Sequence, residues 1–365
     1  MKTKLIFTVL LCVTLFAMAV MALASCTKKP AYNKDDFEMD GTVLVKYKGN
    51  AENVTIPEGV TDIGYKAFWL CGITGVIIPP SVTYIGEMAF AECTGLKGVT
   101  IPASVTFIGF NAFLSCSGLT SITVDAQNRE FSSVDGVLFN KNRTILVTYP
   151  AGKQGIFYTI PSSVTSIGNS VFSGCNSLAG IIIPSNVTYI GENAFTFCEN
   201  LTTIIIPSSV TSIGKGAFYF CTSLTSVTIP PNVTSIGDST FTFCENLTSI
   251  TIPSSVTSIG EGAFAFCNSL TGITIPSSVR TIGRQAFMVC TGLTGIIIPS
   301  NVVSIGEMAF AECTGLTGVT IPASVTSIGD GAFEGCTSLT SVTVSRRTRI
   351  DRDAFPDTAR ITYSD

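Results

Sequence analysis

Cysteine is the reactive residue type with the most regular placement in this sequence, and thiols can pair, bind metal or act as nucleophiles. Cys93 and Cys116 lie 23 residues apart, and from Cys175 to Cys336 one cysteine recurs every 23 residues. A disulfide framework is the usual expectation for an exported chain. It needs pairs whose Cα atoms are close and whose side chains converge. One cysteine per repeat supplies the distance but points the side chains in parallel, and the eleven thiols after Cys26 are an odd number. Zinc would need paired C-x-x-C knuckles or histidine, and the sequence contains neither. The expectation is therefore a ladder of buried free thiols acting as small hydrophobes. The lack of histidine also removes the commonest general base.

Carboxylates are the next candidates. Glu192, Lys215, Asp238, Glu261, Arg284, Glu307 and Asp330 occupy one slot, directly after an Ile-Gly pair, in successive repeats. Glycoside hydrolysis needs two carboxyl groups facing each other across a bond. A single file along one edge does not supply that, and alternating signs suggest weak solvent-exposed pairing instead. Calcium at Asp238 and Glu261, or at Glu307 and Asp330, lacks the Gly/Asp nonapeptide pattern of calcium-binding repeats. No catalytic residue, metal site or cofactor is expected. With 21 basic and 25 acidic residues, a net charge of −4 and no basic block, nucleic acid is not an expected partner.

The elements that position these residues follow from the same period. Prolines step by 23 from Pro161 to Pro322, and one unit reads L-T-S-I-T-I-P-S-S-V-T-S-I-G-x-x-A-F-x-x-C-x-S. In Leu247–Ile252 the alternation at Ile250 and Ile252 predicts a strand with one buried face. Pro253 ends its pairing, Val256 and Ile259 point inward, and Gly260 is expected to allow a turn. Ala263-Phe264 and Cys267 then return the chain as irregular or single-turn helical structure, too short for a regular helix. Stacked units would align Phe195, Phe218, Phe241, Phe264, Phe287, Phe310 and Phe333 into a spine about 4.8 Å per step. No unit buries its own apolar face, so stability comes from neighbours.

These I-T-I-P-S-S-V-T-S-I-G and A-F-x-x-C segments, running from about Val54 to Val344, resemble the BspA-like (Treponema-type) leucine-rich repeats of bacterial surface antigens. The resemblance implies a right-handed leucine-rich-repeat β-solenoid of 23-residue units, with a parallel sheet on the concave face and an irregular or short helical convex side. It also implies a cell-surface binding role, in some members toward host matrix proteins or other microbes.

Two surfaces are candidates for ligand contact. Thr159, Ile182, Ile205, Thr228, Thr251, Thr274, Ile297 and Thr320 fall between the two buried isoleucines of successive strands and should face outward. An apolar patch there would suit a partner; equally, threonine and isoleucine simply favour strands. Its isoleucine interruptions and lack of a T-x-T file argue against an ice-binding array. Phe197, Phe220, Phe243 and Phe266 form a second stripe, two residues after the spine phenylalanine, where other units carry Glu92, Ser115, Val289 or Glu312. Either extra core packing or an aromatic contact stripe for protein or glycan fits that pattern.

The chain begins with Lys2 and Lys4, an apolar run from Leu5 to Leu23, and Leu23-Ala24-Ser25-Cys26. A small-residue break directly before cysteine resembles the lipobox of bacterial lipoproteins, which implies cleavage before Cys26 and its acylation. An ordinary signal peptide or a signal anchor are the other options. The expected organisation is a lipoprotein signal peptide (residues 1–25), a flexible tether (26–40), an N-terminal cap with the first repeats (41–124), an irregular insertion (125–160), regular repeats (161–344) and a C-terminal cap (345–365). Within the insertion, Val134–Phe139 and Thr144–Tyr149 around Asn140–Arg143 predict a β-hairpin, either a joint between two solenoid segments or a protruding contact loop. The expected protein is thus exported, held to the outer membrane or cell surface through Cys26, and binds an extracellular protein or glycan in an adhesin-like role. A structural or self-associating envelope lipoprotein is the alternative, and a glycan hydrolase a third.

Overall fold

The computed structural model describes residues 33–364. The expected signal peptide, the expected lipid-attachment residue Cys26 and part of the expected 26–40 tether therefore lie outside the described residues.

One rung, residues 224–246, shows how the repeat folds. Leu224, Val227 and Ile229 point inward while Ser226 and Thr228 face solvent, as alternation along a strand requires. The Val233 N–H then closes a tight turn on the Pro230 carbonyl at 3.1 Å. Proline suits this position because the strand needs no further donor from it. A second, two-residue strand follows, Ser235–Ile236, with Ile236 buried. After Gly237 the chain runs back through Phe241 to Cys244, both fully buried.

Stacking turns each of these segments into a ladder. Phe157–Thr159, Gly180–Ile182, Thr203–Ile205, Ser226–Thr228 and Ser249–Thr251 form one parallel sheet, the open strand face. The short Ser-Ile strands form a second parallel sheet along the adjacent side, including the continuous run from Ser235–Ile236 to Arg349–Ile350. On the third side the Phe195 N–H donates to the Ala217 carbonyl at 2.8 Å and the Phe218 N–H to Thr240 at 2.9 Å, one rung onward. The rings of Phe195, Phe218 and Phe241 stack at 5.2 and 5.3 Å with interplanar angles of 6° and 1°. Among the described residues the only helical element is a 3-10 turn, Lys34–Asp36. Hydroxyls seal the corners: Thr202, Thr225 and Thr248 each donate to a carbonyl of the preceding rung at 3.1–3.2 Å. That explains why a low-charge chain is so rich in threonine.

The glycine after isoleucine plays a different part from the expected turn. Gly260 has no positive φ; a Cβ there would lie 2.7 Å from the Asp238 amide nitrogen of the rung below. These glycines let backbones of successive rungs approach.

The insertion holds three strands, Phe131–Val134, Val137–Asn140 and Ile145–Thr148. The last two make the expected hairpin. The first pairs with the middle strand through Asp135-Gly136, both at positive φ, the conformation a two-residue hairpin loop demands. Ile145–Thr148 pairs in parallel with Ser166–Ile167 and so starts the downstream second sheet. The middle strand is a partition. Val137 and Phe139 pack into the downstream core and Leu138 into the upstream one, all fully buried. Buried Asn128 pins the junction, donating to the carbonyls of Pro102 and Val105 at 2.8 and 2.9 Å and accepting from the Glu130 and Phe131 amides. Most of this insertion joins the two stacks; it does not protrude.

Candidate binding faces

The open strand face is built by register. Thr159, Ile182 and Ile205 are directly paired across three strands, Thr228 pairs with Thr251, and Thr274 with Ile297. The residues flanking each of these positions, isoleucines in most strands but Val227 and Tyr158 in two, pack inward, so the middle residue must point out. Ile182, Ile205 and Ile297 are 57%, 78% and 82% exposed, and Thr228, Thr251 and Thr274 are exposed beside them. Around Ile297 the face forms an open hollow of about 460 Å³ lined by Gly318, Thr320, Ser341 and Thr343.

Sequence reasoning missed two members of this surface. Phe157 is exposed and lies over Gly180, where a Cβ would stand 2.6 Å from its ring, so glycine is what seats it. It continues the Ile182–Ile205 patch toward the insertion. The signal was an aromatic in a file otherwise held by Ser, Thr and Gly, obscured by the insertion just before it. Ile77 is the exposed counterpart in the first stack, paired with Thr55.

The aromatic stripe lies elsewhere, on the turn side. Phe197, Phe220, Phe243 and Phe266 stand at φ of 58° to 62°, in the left-handed region. Gly174 and Gly335 take the same slot in other rungs at φ 71° and 68°. A non-glycine residue there costs roughly 1–2 kcal/mol. The rings offset part of this by packing on one another, Phe197–Phe220 and Phe220–Phe243 tilted at 5.3 and 5.1 Å and Phe243–Phe266 stacked at 4.3 Å, with Tyr219 edge-on to Phe197 and Phe243. Phe197 is exposed and the other three are half-buried, so the stripe is neither core nor fully open.

The charged slot after Ile-Gly forms surface pairs, Lys215–Asp238 at 2.7 Å and Arg284–Glu307 at 3.3 Å. The hydrogen bond from Lys215 holds the Asp238 carboxyl below its usual range, and Asp238 also accepts the Glu261 amide at 3.0 Å. Among the described residues no group of three or more Cys, Asp or Glu side chains could hold a metal.

The ladder cysteines are free and buried, with Cys71 only half-buried. Each thiol does more than fill space. Cys221 and Cys244 donate to the carbonyls of the spine residues Phe195 and Phe218 at 3.1 and 3.2 Å. Burial pushes the Cys116 and Cys198 thiols up to about 12 and raises Cys175, Cys221 and Cys244 well above the ordinary range. The thiolate is the reactive form, so these groups are inert in the folded protein. Titration of protein lacking residues 1–26 with a chromogenic disulfide should modify one thiol, Cys71, in the native state and all eleven in guanidinium. Several fast native thiols would mean that the ladder is open, and fewer than eleven after unfolding that disulfides had formed.

The stacked parallel ladders, the buried phenylalanine spine and the 23-residue spacing define a leucine-rich-repeat solenoid. The family model described as the BspA type leucine rich repeat region, six copies, matches residues 46–145, 156–271 and 257–364. The chain belongs to that family. No curated protein matches it. Among solved structures it is similar to a leucine-rich repeat protein from Eubacterium ventriosum, at 26% identity over 80% of this chain and 88% of that one, with a TM-score of 0.55. It is also similar to one from Bacteroides ovatus, at 26% identity over 92% and 97% of the two chains, with a TM-score of 0.45. A leucine rich cell surface protein from Faecalibacterium prausnitzii is 30% identical over 80% of this chain and 59% of that one, with a TM-score of 0.38.

Proposed function

We propose that this chain is an exported lipoprotein, held by acylated Cys26 at the cell surface, whose open strand face binds an extracellular protein or glycan in an adhesin-like role. The observation that carries the reading is the exposure of three β-branched groups on the open face, Ile182 and Ile205 paired within the parallel sheet and Ile297 bridged singly to Thr274. Such groups gain most of their free energy by leaving water, about 25 cal/mol for each Å² buried. Backbone already paired between rungs lowers the ordering cost at binding. The half-exposed Phe197–Phe266 stripe is a second contact surface, suited by its ring faces to sugars or to aromatic and proline side chains. Binding rather than catalysis is favoured because the carboxylates stand in single file and two of them are engaged in ion pairs.

A self-associating envelope protein is the second reading. It is favoured by the strand Arg360–Ser364, whose five residues are exposed and which, among the described residues, pairs only with Ser341–Ser345. An edge of that kind can template a further strand. Protease treatment of intact cells separates the two when combined with binding of purified mature protein to immobilised matrix proteins, bacterial surface proteins and glycans. The adhesin reading expects rapid surface cleavage and saturable binding to at least one class. Surface cleavage with no binding, and a sedimentation coefficient that rises with concentration, would favour self-association.

A further inference from the structure

The N-terminal rung of the solenoid carries an exposed cluster in which Leu70 takes the same slot as Phe197, at φ 60°, while Tyr65 and Trp69 add rings that neither binding face uses. Its first full turn runs through Tyr65, Lys66, Phe68, Trp69 and Leu70. Phe68 is buried in the spine, while Tyr65, Trp69 and Leu70 are 61%, 43% and 57% exposed. The Lys66 ammonium lies 4.4 Å from the centre of the Trp69 ring and 5.2 Å from that of Tyr65. The Trp69 indole N–H donates to the Glu92 carboxylate at 3.3 Å, which fixes the ring against the second rung. The turn is an end rung. Its amides at Lys66, Phe68 and Leu70 all donate onward, to Glu87, Ala89 and Ala91. On its other side the earlier chain meets it through Tyr47, which donates to the Ala67 carbonyl at 2.8 Å and packs its ring 5.3 Å from Phe68.

The chain enters the fold beside this cluster. The next residue after Tyr47, Lys48, donates to the Asp36 carbonyl at 2.7 Å. Asn33, the first described residue, is seven residues after Cys26. Seven fully extended residues span at most about 25 Å. With acyl chains on Cys26, the bilayer surface is within that distance of Asn33, which leads through Asp36 and Tyr47 to the first rung. Trp and Tyr with a neighbouring Lys are the side chains that settle at the headgroup level, ring bodies in the acyl boundary and polar tips in water.

We propose that Tyr65, Trp69 and Leu70 dock the N-terminal end of the solenoid onto the bilayer that holds the Cys26 acyl chains. The contact holds the turn side of the first rung against the bilayer and leaves the strand face beyond Phe157 free for a ligand. It rests on the lipid-anchor reading and adds a second, non-covalent attachment to it.

Trp69 is the only tryptophan of the chain, so its emission reports this contact alone. The probe is acylated, full-length mature protein in phosphatidylcholine vesicles whose acyl chains are brominated near the headgroup. The expected result is a blue-shifted Trp69 emission that loses most of its intensity relative to unbrominated vesicles. A reporter at the far end, Tyr363→Trp in a Trp69→Phe background, should stay unquenched. Tyr65→Ser with Leu70→Ser should weaken the Trp69 quenching while the protein still floats with the vesicles. Floating, acylated protein with unquenched Trp69 overturns the docking alone. So does equal quenching at both ends, or a Trp69 shielded from acrylamide but not quenched by bromine, which would mean a protein neighbour. An N-terminal peptide whose mass lacks acyl chains overturns the anchor reading, and the docking with it.

Discussion

Phe218→Ala is expected to lower the unfolding free energy by about 3–5 kcal/mol. The ring is fully buried and touches a spine ring on each side, Phe195 at 5.2 Å and Phe241 at 5.3 Å. Truncation therefore opens a cavity shared by two rung interfaces, and in a solenoid those interfaces supply most of the stability. Neighbouring rungs cannot collapse into the gap without breaking the amide ladder that runs beside the rings, from Phe195 to Ala217 and from Phe218 to Thr240. Phe218→Leu keeps part of the volume and should cost about half as much. Urea denaturation followed by circular dichroism reads both values. A cost below about 1 kcal/mol for the alanine variant would mean the spine is not a continuous packed column.

Gly214→Ala should be nearly as damaging, about 3 kcal/mol or more, although it adds one methyl group. An ideal Cβ at Gly214 would fall 2.4 Å from the Glu192 amide nitrogen and 2.6 Å from the Gly191 carbonyl carbon. Both are backbone atoms of the preceding rung, and neither can rotate away. The rungs would have to part at a point where the Gly214 N–H donates to the Ile190 carbonyl at 2.9 Å. Gly272→Ala is the matching control. It has nothing within 4 Å of its Cβ position, so its effect should stay within about 0.5 kcal/mol. Equal costs at the two sites would contradict close approach as the reason for the Ile-Gly pair.

The repeat architecture was legible because the core is a sum of identical columns. A residue that must be buried in one rung must be buried in all, so Phe, Cys and the inward Ile recur at one step. The outward position of Ile182, Ile205 and Ile297 followed from simple alternation between buried neighbours. The second parallel sheet was not legible, because a two-residue strand such as Ser235–Ile236 carries no alternation to read. Its pairing is decided by the register of whole rungs. The left-handed backbone at Phe197 and Val289 was hidden for the opposite reason, since local preference opposes an aromatic or β-branched side chain there. Phe157 escaped notice because the insertion interrupts the period just before it. The thiol bonds to spine carbonyls depend on side-chain direction, which spacing alone does not contain.

Ligand contact is proposed at the open strand face, so the decisive measurement is the affinity of one triple variant, Ile182→Lys with Ile205→Lys and Ile297→Lys. All three sites are exposed, and lysine there leaves the core columns untouched. Wild-type mature protein is first screened on immobilised matrix proteins, bacterial surface proteins and glycans, and the triple variant is then titrated against whatever it binds. The predicted result is an unchanged circular dichroism spectrum and urea midpoint, with affinity reduced at least about a hundredfold, as loss of central apolar anchors should do. Binding unchanged by the three lysines, in a protein that is still folded, would contradict the assignment.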